Sequence, residues 1–300
     1  MLDNQSLSAI FLTCANSDNF SEAGRKLNLS RSSVSKAIAK LEQELGVNLF
    51  HRSTRSHGLT EDGHLYYTYA YKAHAELDKA RDLLTTNRHT PSGTLRVALP
   101  ACLGRHCIAP LLLKMASTYP DLQLSLSLSD EPADLIDGAY DLSIRIGSTL
   151  DTSSIIGRKI GIQNMNFYAA TNYCSTKPPP QSLDELASHP LILYTRDAKI
   201  QRPNTLSRAD PLRKTTPKIQ SNDLDVLLEA ALQAIGIALL PEWLASPYVA
   251  SAQLQHLAKL GQKSFDIIAL WPQNTFIPAR TRQAIEHIMS ILPGIITPSV

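Results

Sequence analysis

The sequence predicts a chain of the α plus α/β class, in which a small helical unit and one long helix precede an α/β domain. Three observations support this class. Apolar residues recur at helical spacing up to about residue 88, strands and helices alternate after residue 93, and the turn-forming run Thr90-Pro91-Ser92-Gly93 separates the two patterns. We therefore expect a helical unit over residues 1–59, a long helix over 60–89 and an α/β domain over 93–300.

The composition is that of a globular protein and identifies no partner by itself. Of the 300 residues, 43% are hydrophobic and 19% are charged, which excludes a disordered or fibrous chain. The net charge of +2 is too small to indicate nucleic acid. The cysteines form no CxxC pair, the N-terminus does not resemble a signal peptide, and no apolar run approaches about 18 residues. We expect a reduced, cytoplasmic chain that does not enter a membrane.

Three short helices with a tight turn before the third are predicted at the N-terminus, which is the helix-turn-helix arrangement. The second helix is expected to begin near Ser21 and the third after Ser30, because serine is a good N-cap residue. Gly46 can end the third helix in a left-handed conformation. The expected core positions are Leu7, Ile10, Phe11 and Cys14 in the first helix and Val34, Ile38, Leu41 and Leu45 in the third.

The third helix would turn a small, polar face toward solvent. At 100° per residue, the positions opposite its apolar stripe are Ser32, Ser35, Lys36, Ala39 and Gln43. Hydroxyl groups and an ammonium without bulky neighbours can reach base edges and phosphates in a major groove. Residues 20–57 also hold seven Lys and Arg against three Glu, a local charge of +4. The alternative is a solvated helical bundle that binds no DNA.

A dense set of motifs occupies residues 19–63. They are Asn19-Phe20-Ser21, Ala23-Gly24, Ser30 to Ser35, Leu41-Glu42, Leu45-Gly46, Leu49-Phe50, Arg52, Arg55 and Leu59-Thr60-Glu61-Asp62-Gly63. This stretch closely resembles the DNA-binding domain of LysR-type transcriptional regulators. Two positions depart from the family pattern. Gly24 stands where a second Ala is usual, at a cost on the order of 1 kcal/mol in a helix, and Arg31 stands where Gln is frequent, so the base preference there is this chain's own.

The resemblance implies that duplex DNA is the partner and that the third helix and the following loop contact it. The implied DNA-binding residues are Ser30, Arg31, Ser32, Ser33, Ser35, Lys36, Arg52 and Arg55. The last two lie in a polar loop, residues 51–57, which is expected to form a short hairpin, or wing, beside the minor groove. The alternative for Arg52 is a structural arginine held by a helix carboxylate.

A long helix is expected from an N-cap at Thr60 to about Asn87, with acidic residues in its first turn. Apolar residues along it recur at alternating spacings of four and three, a heptad pattern that predicts pairing with a second copy. We call these residues the heptad seam: Tyr66, Ala70, Ala73, Leu77, Ala80 and Leu84. A homodimer or homotetramer fits inverted DNA half-sites, and the alternative is a single connecting helix with an exposed stripe.

The half after Gly93 alternates between strand and helix patterns, as βαβ units do. Strands are expected over 95–99, 122–128, 141–146, 167–170, 191–194, 236–240 and 267–271, and helices over 108–117, 133–139, 224–234 and 279–292. Segments 141–147 and 236–241 resemble those of the LysR-type effector domain, itself similar to periplasmic binding proteins with two α/β lobes around a cleft. Lobe one is then expected at 93–163 and 268–300, and lobe two at 164–267.

The same resemblance implies a small-molecule effector in the cleft between the lobes, beyond the carboxyl ends of the strands. The implied effector-binding residues are Pro100, Ala101, Cys102, Arg145, Gly147, Thr195, Arg196, Asn222 and Asp223. The guanidinium of Arg145 and backbone N–H groups at the helix start near Asn222 favour an anionic ligand. The alternative for Arg145 is a salt bridge within one lobe.

Motifs of catalysis and of metal binding are not found in the sequence. It contains no Walker loop, GxGxxG, HExxH or GxSxG, and its nine His residues show no ligand spacing, so we expect no enzyme, no cofactor and no metal. Cys102 and Cys107 form either a redox switch or a pair of packed thiols, and free cysteine more often packs as a small buried hydrophobe.

The function that follows is that of a ligand-responsive transcription regulator, for which RNA polymerase is a further conceivable partner. Effector binding would shift the lobes and with them the spacing of the DNA-binding units. Two rivals remain at this point. One is a constitutive DNA-binding protein whose α/β half only oligomerises, and the other is a solute-binding or enzymatic α/β protein with a vestigial head.

Overall fold

The structure, a computed structural model, describes residues 7–51, 58–85, 90–131, 135, 140–147, 154–196, 199–200, 216–273 and 277–297. Within these ranges, the side chains of residues 78–85, 196, 199 and 200 are not described. The chain divides into two compact units. The described residues up to Thr85 belong to the first unit, and the described residues from Thr90 onward belong to the second.

The first unit is a bundle of short helices with one long helix. Its described helices are α1 (Leu7–Ala15), α2 (Phe20–Leu27), α3 (Arg31–Leu45) and α4 (Glu61–Thr85). Their apolar faces meet in one core, in which the ring centroid of Phe11 lies 5.5 Å from that of Phe50 and 5.0 Å from that of Tyr66. The predicted helix-turn-helix is therefore present, with α2 and α3 as its two helices.

The ends of these helices agree with most of the predicted capping residues. The Ser30 hydroxyl caps the start of α3 by accepting a hydrogen bond from the backbone N–H of Ser33, and Gly46 ends this helix with φ +72°. The Thr60 hydroxyl caps the start of α4 by accepting from Gly63 N at 3.0 Å. The second helix begins at Phe20, near the predicted Ser21, but Ser21 is not its N-cap. Asn19 caps α2, and its side chain accepts from the backbone N–H of Glu22.

The apolar stripe of α3 differs from the prediction at its C-terminal end. Val34, Ile38 and Leu41 are buried as expected, but Leu45 is 43% exposed. Ala37 is buried instead, at 2% exposure. The stripe ends early because Gly46 terminates the helix and the chain turns back at Leu49, which closes the core one turn before Leu45.

The N-terminal part of the heptad seam packs inside its own chain. Tyr66 lies against Phe11 and Ala70 is 7% exposed, because α1 covers this face of α4. Among the described side chains of α4, the large apolar ones that are exposed are Leu65, Tyr69 and Leu77, with exposures of 60%, 64% and 55%. Ala80 and Leu84 lie outside the described side chains. Neither α4 nor any other helix in the described ranges has the length and apolar character to cross a membrane.

The second unit is an α/β domain around one large mixed sheet. Its described strands are β1 (Gly93–Leu99), β2 (Leu122–Leu128), β3 (Leu142–Ile146), β4 (Ile155–Ala170), β5 (Leu191–Arg196), β6 (Lys199–Ile200), β7 (Ile219–Ser221), β8 (Ile237–Pro241), β9 (Leu254–His256) and β10 (Gln262–Pro272). The strand order is β2-β1-β3-β10-β4-β8-β5-β6, with β7 beside β5 and β9 beside β4. β1 pairs in parallel with β2 and β3, as βαβ units require, whereas β10 and β4 run antiparallel to their neighbours.

Helices cover this sheet and follow the strands in sequence. The described ones are α5 (Ala101–Leu103), a π-helical segment (Gly104–Ile108), α6 (Ala109–Thr118), α7 (Thr171–Thr176), α8 (Leu183–Leu186), α9 (Leu224–Leu232), α10 (Glu242–Ala250), a 3-10 turn (Ala258–Leu260) and α11 (Ala279–Ile296). The first of them begins directly after Pro100, so Ala101 and Cys102, two of the predicted effector-binding residues, lie in a helix. The predicted helix over 133–139 falls almost entirely outside the described residues.

Two long strands run through both predicted lobes. β4 pairs with β10 along residues 155–166, and its residues 165–168 then pair with β8. β10 in turn pairs with β3 through residues 267–270 and contains a register shift between Ile267 and Ile268. The expected boundaries between the lobes, at residues 163/164 and 267/268, therefore fall within β4 and β10. The limits of the lobes themselves stay predictions.

Candidate functional site

A cluster of serine hydroxyls surrounds the N-terminus of α3. Ser30 Oγ lies 2.9 Å from Ser32 Oγ and 2.8 Å from Ser33 Oγ, and it accepts from Ser33 N at 3.1 Å. The Ser30 hydroxyl is thus engaged in holding the helix start, and Ser33 is half-buried. Ser32 and Ser35 are exposed, so their hydroxyls are the ones placed to contact a groove.

The positive charge of the first unit is concentrated on the same part of α3. Lys26 pairs with Glu22 at 2.9 Å and Lys40 with Glu44 at 3.8 Å, so each of these ammonium groups is partly neutralised within its own helix. Arg31 and Lys36 are exposed and make no ion pair with another described residue. The N-terminal half of α3 therefore presents two charges that are available to phosphates.

A helix carboxylate fixes the chain that follows α3. Glu42 Oε1 accepts from Leu49 N at 2.7 Å and from Phe50 N at 3.2 Å. Phe50 then forms an antiparallel bridge with Leu59, and His51 N donates to Gly58 O at 2.9 Å. This is the base of a hairpin at the predicted wing, but Arg52 and Arg55 lie outside the described residues.

A cavity of about 230 Å³ lies in the second unit, beyond the carboxyl ends of β1, β2, β3 and β5. Its described lining consists of Pro100, Asp130, Arg145, Ile146, Gln163, Tyr194, Leu224 and Phe265. Pro100 and Arg145 are the predicted effector residues among them. The lining combines apolar side chains with one cation, one carboxylate, one amide and one phenol, which is the composition of a small-molecule site.

The carboxylate in this cavity is fixed from two sides. Asp130 Oδ2 accepts a hydrogen bond from the Tyr194 hydroxyl at 2.8 Å, and Asp130 Oδ1 accepts from Ala101 N at 3.1 Å. Ala101 is the first residue of α5, so this N–H is one of the groups that a helix start would offer to an anion. The chain's own carboxylate already occupies it.

A backbone N–H at the start of α9 is likewise occupied by a carboxylate of the chain itself. Asp223 caps this helix by accepting from Asp225 N at 2.8 Å, and Asp223 N donates to the Ser221 hydroxyl at 3.0 Å. The anion site that the sequence predicts at the backbone near Asn222 therefore faces two carboxylates of the chain itself. Of the predicted anion-binding groups, the Arg145 guanidinium is the one that lines the cavity.

The other predicted effector residues lie around the cavity rather than in its described lining. Gly147 follows β3 with φ +116°, and its N–H donates to Asp266 O at 2.9 Å. Thr195 is half-buried beside Tyr194, Asn222 is exposed, and Cys102 is buried at 3% exposure. The side chain of Arg196 is not described.

Sequence reasoning missed most of the polar lining of the cavity. Asp130 lies two residues after the end of β2, so the rule that ligands bind beyond parallel strand ends could have found it. Tyr194 precedes the predicted Thr195 by one residue. Gln163 and Phe265 come from the antiparallel strands β4 and β10, whose approach to the cavity has no signal in the local sequence.

The thiols near the cavity have the properties of packed core residues. Cys102 and Cys107 are 3% and 2% exposed. Burial raises the pKa of Cys107 to about 12, and burial together with the Asp225 carboxylate raises the pKa of Cys102 further. Reactive cysteines have lowered pKa values and solvent access, so these properties favour packed thiols over a redox switch.

Comparison with known proteins assigns both units. Residues 7–64 match the model of the bacterial regulatory helix-turn-helix proteins of the lysR family, and residues 88–292 match that of the LysR substrate binding domain. The chain is 31% identical over 296 residues to the HTH-type transcriptional regulator CrgA of Neisseria meningitidis serogroup C, covering 97% of this chain and 98% of that one. It is 29% identical to DmlR of Escherichia coli K12, covering 93% and 91% of the two chains.

Solved structures show the same architecture. A structure of CrgA from Neisseria meningitidis, 28% identical, superposes with a TM-score of 0.58 over 95% of this chain and 99% of that one. The full-length structure of the Vibrio cholerae virulence activator AphB, 22% identical, shares the fold with a TM-score of 0.60 over 95% and 98% of the two chains. The chain therefore belongs to the LysR-type transcriptional regulators, with a helix-turn-helix DNA-binding unit followed by an effector-binding domain.

Proposed function

We propose that this regulator reads an inverted-repeat operator through the N-terminal half of α3, as a homodimer or homotetramer, and that a small molecule in the cavity controls it. The observation that carries the DNA-binding part is the exposure of Ser32, Ser35, Arg31 and Lys36 on one stretch of helix, with no ion pair to a described residue on either cation. Ser30 and Ser33 shape the helix start, and Arg52 and Arg55 are assigned to the wing.

The ligand that fits the cavity is a small acid with an apolar body. The guanidinium of Arg145 supplies a permanent positive charge for a carboxylate, and Leu224, Ile146 and Phe265 supply apolar walls. A volume of about 230 Å³ is below the usual range of about 300–1,000 Å³ for drug-sized ligands. Asp130 favours a ligand that also carries a hydrogen-bond donor, such as a hydroxyl or an amine, because a carboxylate accepts hydrogen bonds.

The remaining parts of the proposal follow from this mode of action. The DNA-binding unit is assigned to residues 1–59, the dimerising helix to 60–89 and the effector domain to 93–300. The protein acts in the cytoplasm, catalyses no reaction, and meets RNA polymerase at the promoter. The remaining residues assigned to effector binding, beside Pro100 and Arg145, are Ala101, Cys102, Gly147, Thr195, Arg196, Asn222 and Asp223.

The decisive experiment compares two lysines of α3. Operator sequences are first selected from random duplexes with the full chain, and binding is then measured over a series of salt concentrations. Lys36→Ala should weaken binding and reduce the slope of log K against log salt by about one unit, because one phosphate contact is lost. Lys40→Ala, on the same helix but paired with Glu44, should change the slope much less.

The outcome also separates the rival functions. If Lys36→Ala and wild type bind with equal affinity and slope, α3 does not approach the DNA as proposed. If the chain selects no DNA sequence at all, its helix-turn-helix unit is vestigial. If it selects an operator but no ligand changes its affinity for that operator, the α/β domain serves only for assembly.

A further inference from the structure

Three different metal-ligating side chains meet outside the cavity lining. Cys102 Sγ, His106 Nε2 and a carboxylate oxygen of Asp225 all lie within 4.8 Å of one another. Cys102 and His106 are four residues apart in one continuous helical stretch, so their side chains share a face. Asp225, in the first turn of α9, is 119 residues away from His106 in sequence, and only the fold brings it to the pair.

The contacts converge on a single carboxylate oxygen. Asp225 Oδ1 lies 2.8 Å from His106 Nε2 and 3.7 Å from Cys102 Sγ. The other oxygen, Oδ2, is paired with the guanidinium of Arg105. Arg105 thus orients the carboxylate and leaves Oδ1 turned toward the sulfur and the nitrogen.

The local backbone holds these groups in place. Residues Gly104–Ile108 form a π-helical turn in which Ala109 N donates to Gly104 O, and such turns are frequent at functional sites. A side chain at position 104 would place its Cβ 2.6 Å from Leu99 Cβ, so glycine is needed for the turn to pack against β1. On the opposite side, Asp223 Oδ1 accepts from Asp225 N and fixes the start of α9.

We propose that Cys102, His106 and Asp225 form a binding site for one zinc ion or a similar divalent transition cation. Thiolate, imidazole and carboxylate together suit this class of metal, whereas calcium and magnesium take oxygen ligands. With metal–ligand distances of about 2.0–2.3 Å, tetrahedral coordination separates ligand atoms by roughly 3.3–3.7 Å. The Cys102–Asp225 distance of 3.7 Å meets this range, and the 2.8 Å between His106 and Asp225 needs to open by about half an ångström.

The cation can reach this site from solvent. Cys102 is 3% exposed and forms its floor, while the side chains of His106 and Asp225 are 43% and 31% exposed and form its rim. A water molecule would complete the coordination on the open side. Arg105 would remain on Asp225 Oδ2 and act as the partner that orients this ligand.

Metal binding at this site has a defined proton balance. The Cys102 thiol loses one proton to solvent and becomes a thiolate, and Asp225 binds through the carboxylate oxygen Oδ1. His106 binds through the lone pair of Nε2, and its remaining ring proton resides on Nδ1. One divalent cation therefore replaces the hydrogen bonds to Oδ1, and one proton is released for each ion bound.

The bound ion would connect the two predicted lobes. Cys102 and His106 lie in the part of the domain assigned to lobe one, and Asp225 lies in the part assigned to lobe two. The ion would add direct bonds between these parts at a point outside the ligand cavity. It would therefore favour arrangements of the domain in which β1 and α9 stay close.

The test uses the full chain, kept reduced and dialysed against a chelator, and titrated with cobalt(II). One equivalent of cobalt should produce a thiolate-to-cobalt charge-transfer band together with the strong visible bands of tetrahedral cobalt, and zinc should displace it. Cys102→Ser should abolish the charge-transfer band. His106→Gln and Asp225→Asn should weaken binding by roughly tenfold or more, since even loss of a residue that supports a metal ligand commonly costs 10- to 100-fold.

Matched controls separate this site from other thiols. Cys107→Ser and Cys174→Ser should keep the band and the affinity of wild type, and zinc should raise the unfolding temperature of these variants but not that of Cys102→Ser. Absence of a charge-transfer band in wild type, or its persistence in Cys102→Ser, would overturn the proposal. If Cys102→Ser does not fold, His106→Gln decides, because His106 is on the surface and its loss leaves the core intact; unchanged cobalt affinity in that variant overturns the site.

Discussion

The hydroxyl of Tyr194 donates a 2.8 Å hydrogen bond to Asp130 Oδ2 and so connects β5 to the segment that follows β2. Because Asp130 Oδ1 also accepts from Ala101 N, this carboxylate joins three segments around the cavity. The lining of the cavity therefore contains a fixed carboxylate as well as Arg145. If the effector is a small acid, as proposed, we expect its carboxylate next to Arg145 and away from Asp130.

Removal of the guanidinium should abolish recognition of acids. In Arg145→Ala, the affinity for small carboxylic acids identified by thermal shift should fall by roughly tenfold to a hundredfold, since a hydrogen bond to a charged group contributes about 1.5–3 kcal/mol. Operator binding without ligand should stay close to wild type, because α3 belongs to the other unit. Calorimetric titration with each acid and with its uncharged amide measures the effect.

Arg158→Ala is the matched control, since Arg158 is an exposed arginine of the same domain. It should leave the affinity for acids unchanged. A structural role for Arg145 predicts a different result, namely a lower unfolding temperature with or without ligand. Wild-type affinity of Arg145→Ala for the acids would remove the main support for an anionic effector.

A charge on the exposed side of α4 should disrupt assembly. Leu77, a residue of the heptad seam, is 55% exposed in the chain. If a second copy covers this face, Leu77→Glu buries two like charges at a cost of several kcal/mol. Sedimentation velocity should then show a smaller species, and operator affinity should fall with it.

Thr68→Glu tests whether the position matters rather than the charge. Thr68 lies nine residues from Leu77 and so about 180° around the helix. It is exposed, and the same substitution there should leave the assembly intact. An unchanged sedimentation coefficient for Leu77→Glu would mean that α4 does not pair through this face.

The heptad pattern shows where sequence reasoning about this helix succeeds and where it fails. The spacing of Tyr66 and Ala70 correctly identified a buried face, because burial follows helical periodicity whatever lies opposite. The spacing cannot tell whether the opposite surface belongs to another copy or to the same chain. Here α1 covers the N-terminal turns, and the ring of Phe11 occupies the place expected for a partner helix.

The cavity was predictable where the chain obeys strand-end rules. Pro100 and Arg145 end parallel strands, and both line it. Asp225 and Asp130 could not be assigned their contacts from the sequence, because the partners of their carboxylates are 29 or more residues away. Capping at Ser30 and Thr60 was predictable since it depends on residues only three positions apart.

Gly63 should be irreplaceable although it lies in a helix. A Cβ at this position would lie 2.1 Å from the carbonyl oxygen of Leu49, and the backbone N–H of Leu49 is itself held by Glu42. The obstructing atom is therefore fixed backbone. Gly63→Ala should lower the free energy of unfolding of the first unit by roughly 1–3 kcal/mol, as overpacked sites do, measured by urea denaturation.

Gly294→Ala provides the opposite case. Gly294 lies in α11, and a Cβ added at this position would have no other atom within 4 Å. Its φ is not positive, so alanine can adopt the same backbone conformation. Alanine should stabilise the second unit by up to about 1 kcal/mol through its helix propensity. If both substitutions stabilise the protein, the close approach between α4 and Leu49 is not maintained in solution.

The stability of the second unit should depend on the protonation of His189. This residue is 7% exposed, and its Nδ1 lies 2.8 Å from the hydroxyl of Tyr173. Burial lowers the pKa of His189 below 6.5, the nearby Lys177 lowers it further, and Glu185 opposes them. The folded chain therefore binds a proton at His189 less tightly than the unfolded chain does. Between the lowered pKa and 6.5, the unfolded state binds more protons, so the free energy of unfolding rises with pH and falls as the pH is lowered through this range.

Urea denaturation of the second unit across about pH 5 to 8, where histidine titrates, should show this dependence on pH in wild type. His189→Gln should reduce it, whereas His256→Gln, at an exposed histidine of the same unit, should not. Equal slopes in wild type and His189→Gln would show that the buried imidazole takes no part in the pH response.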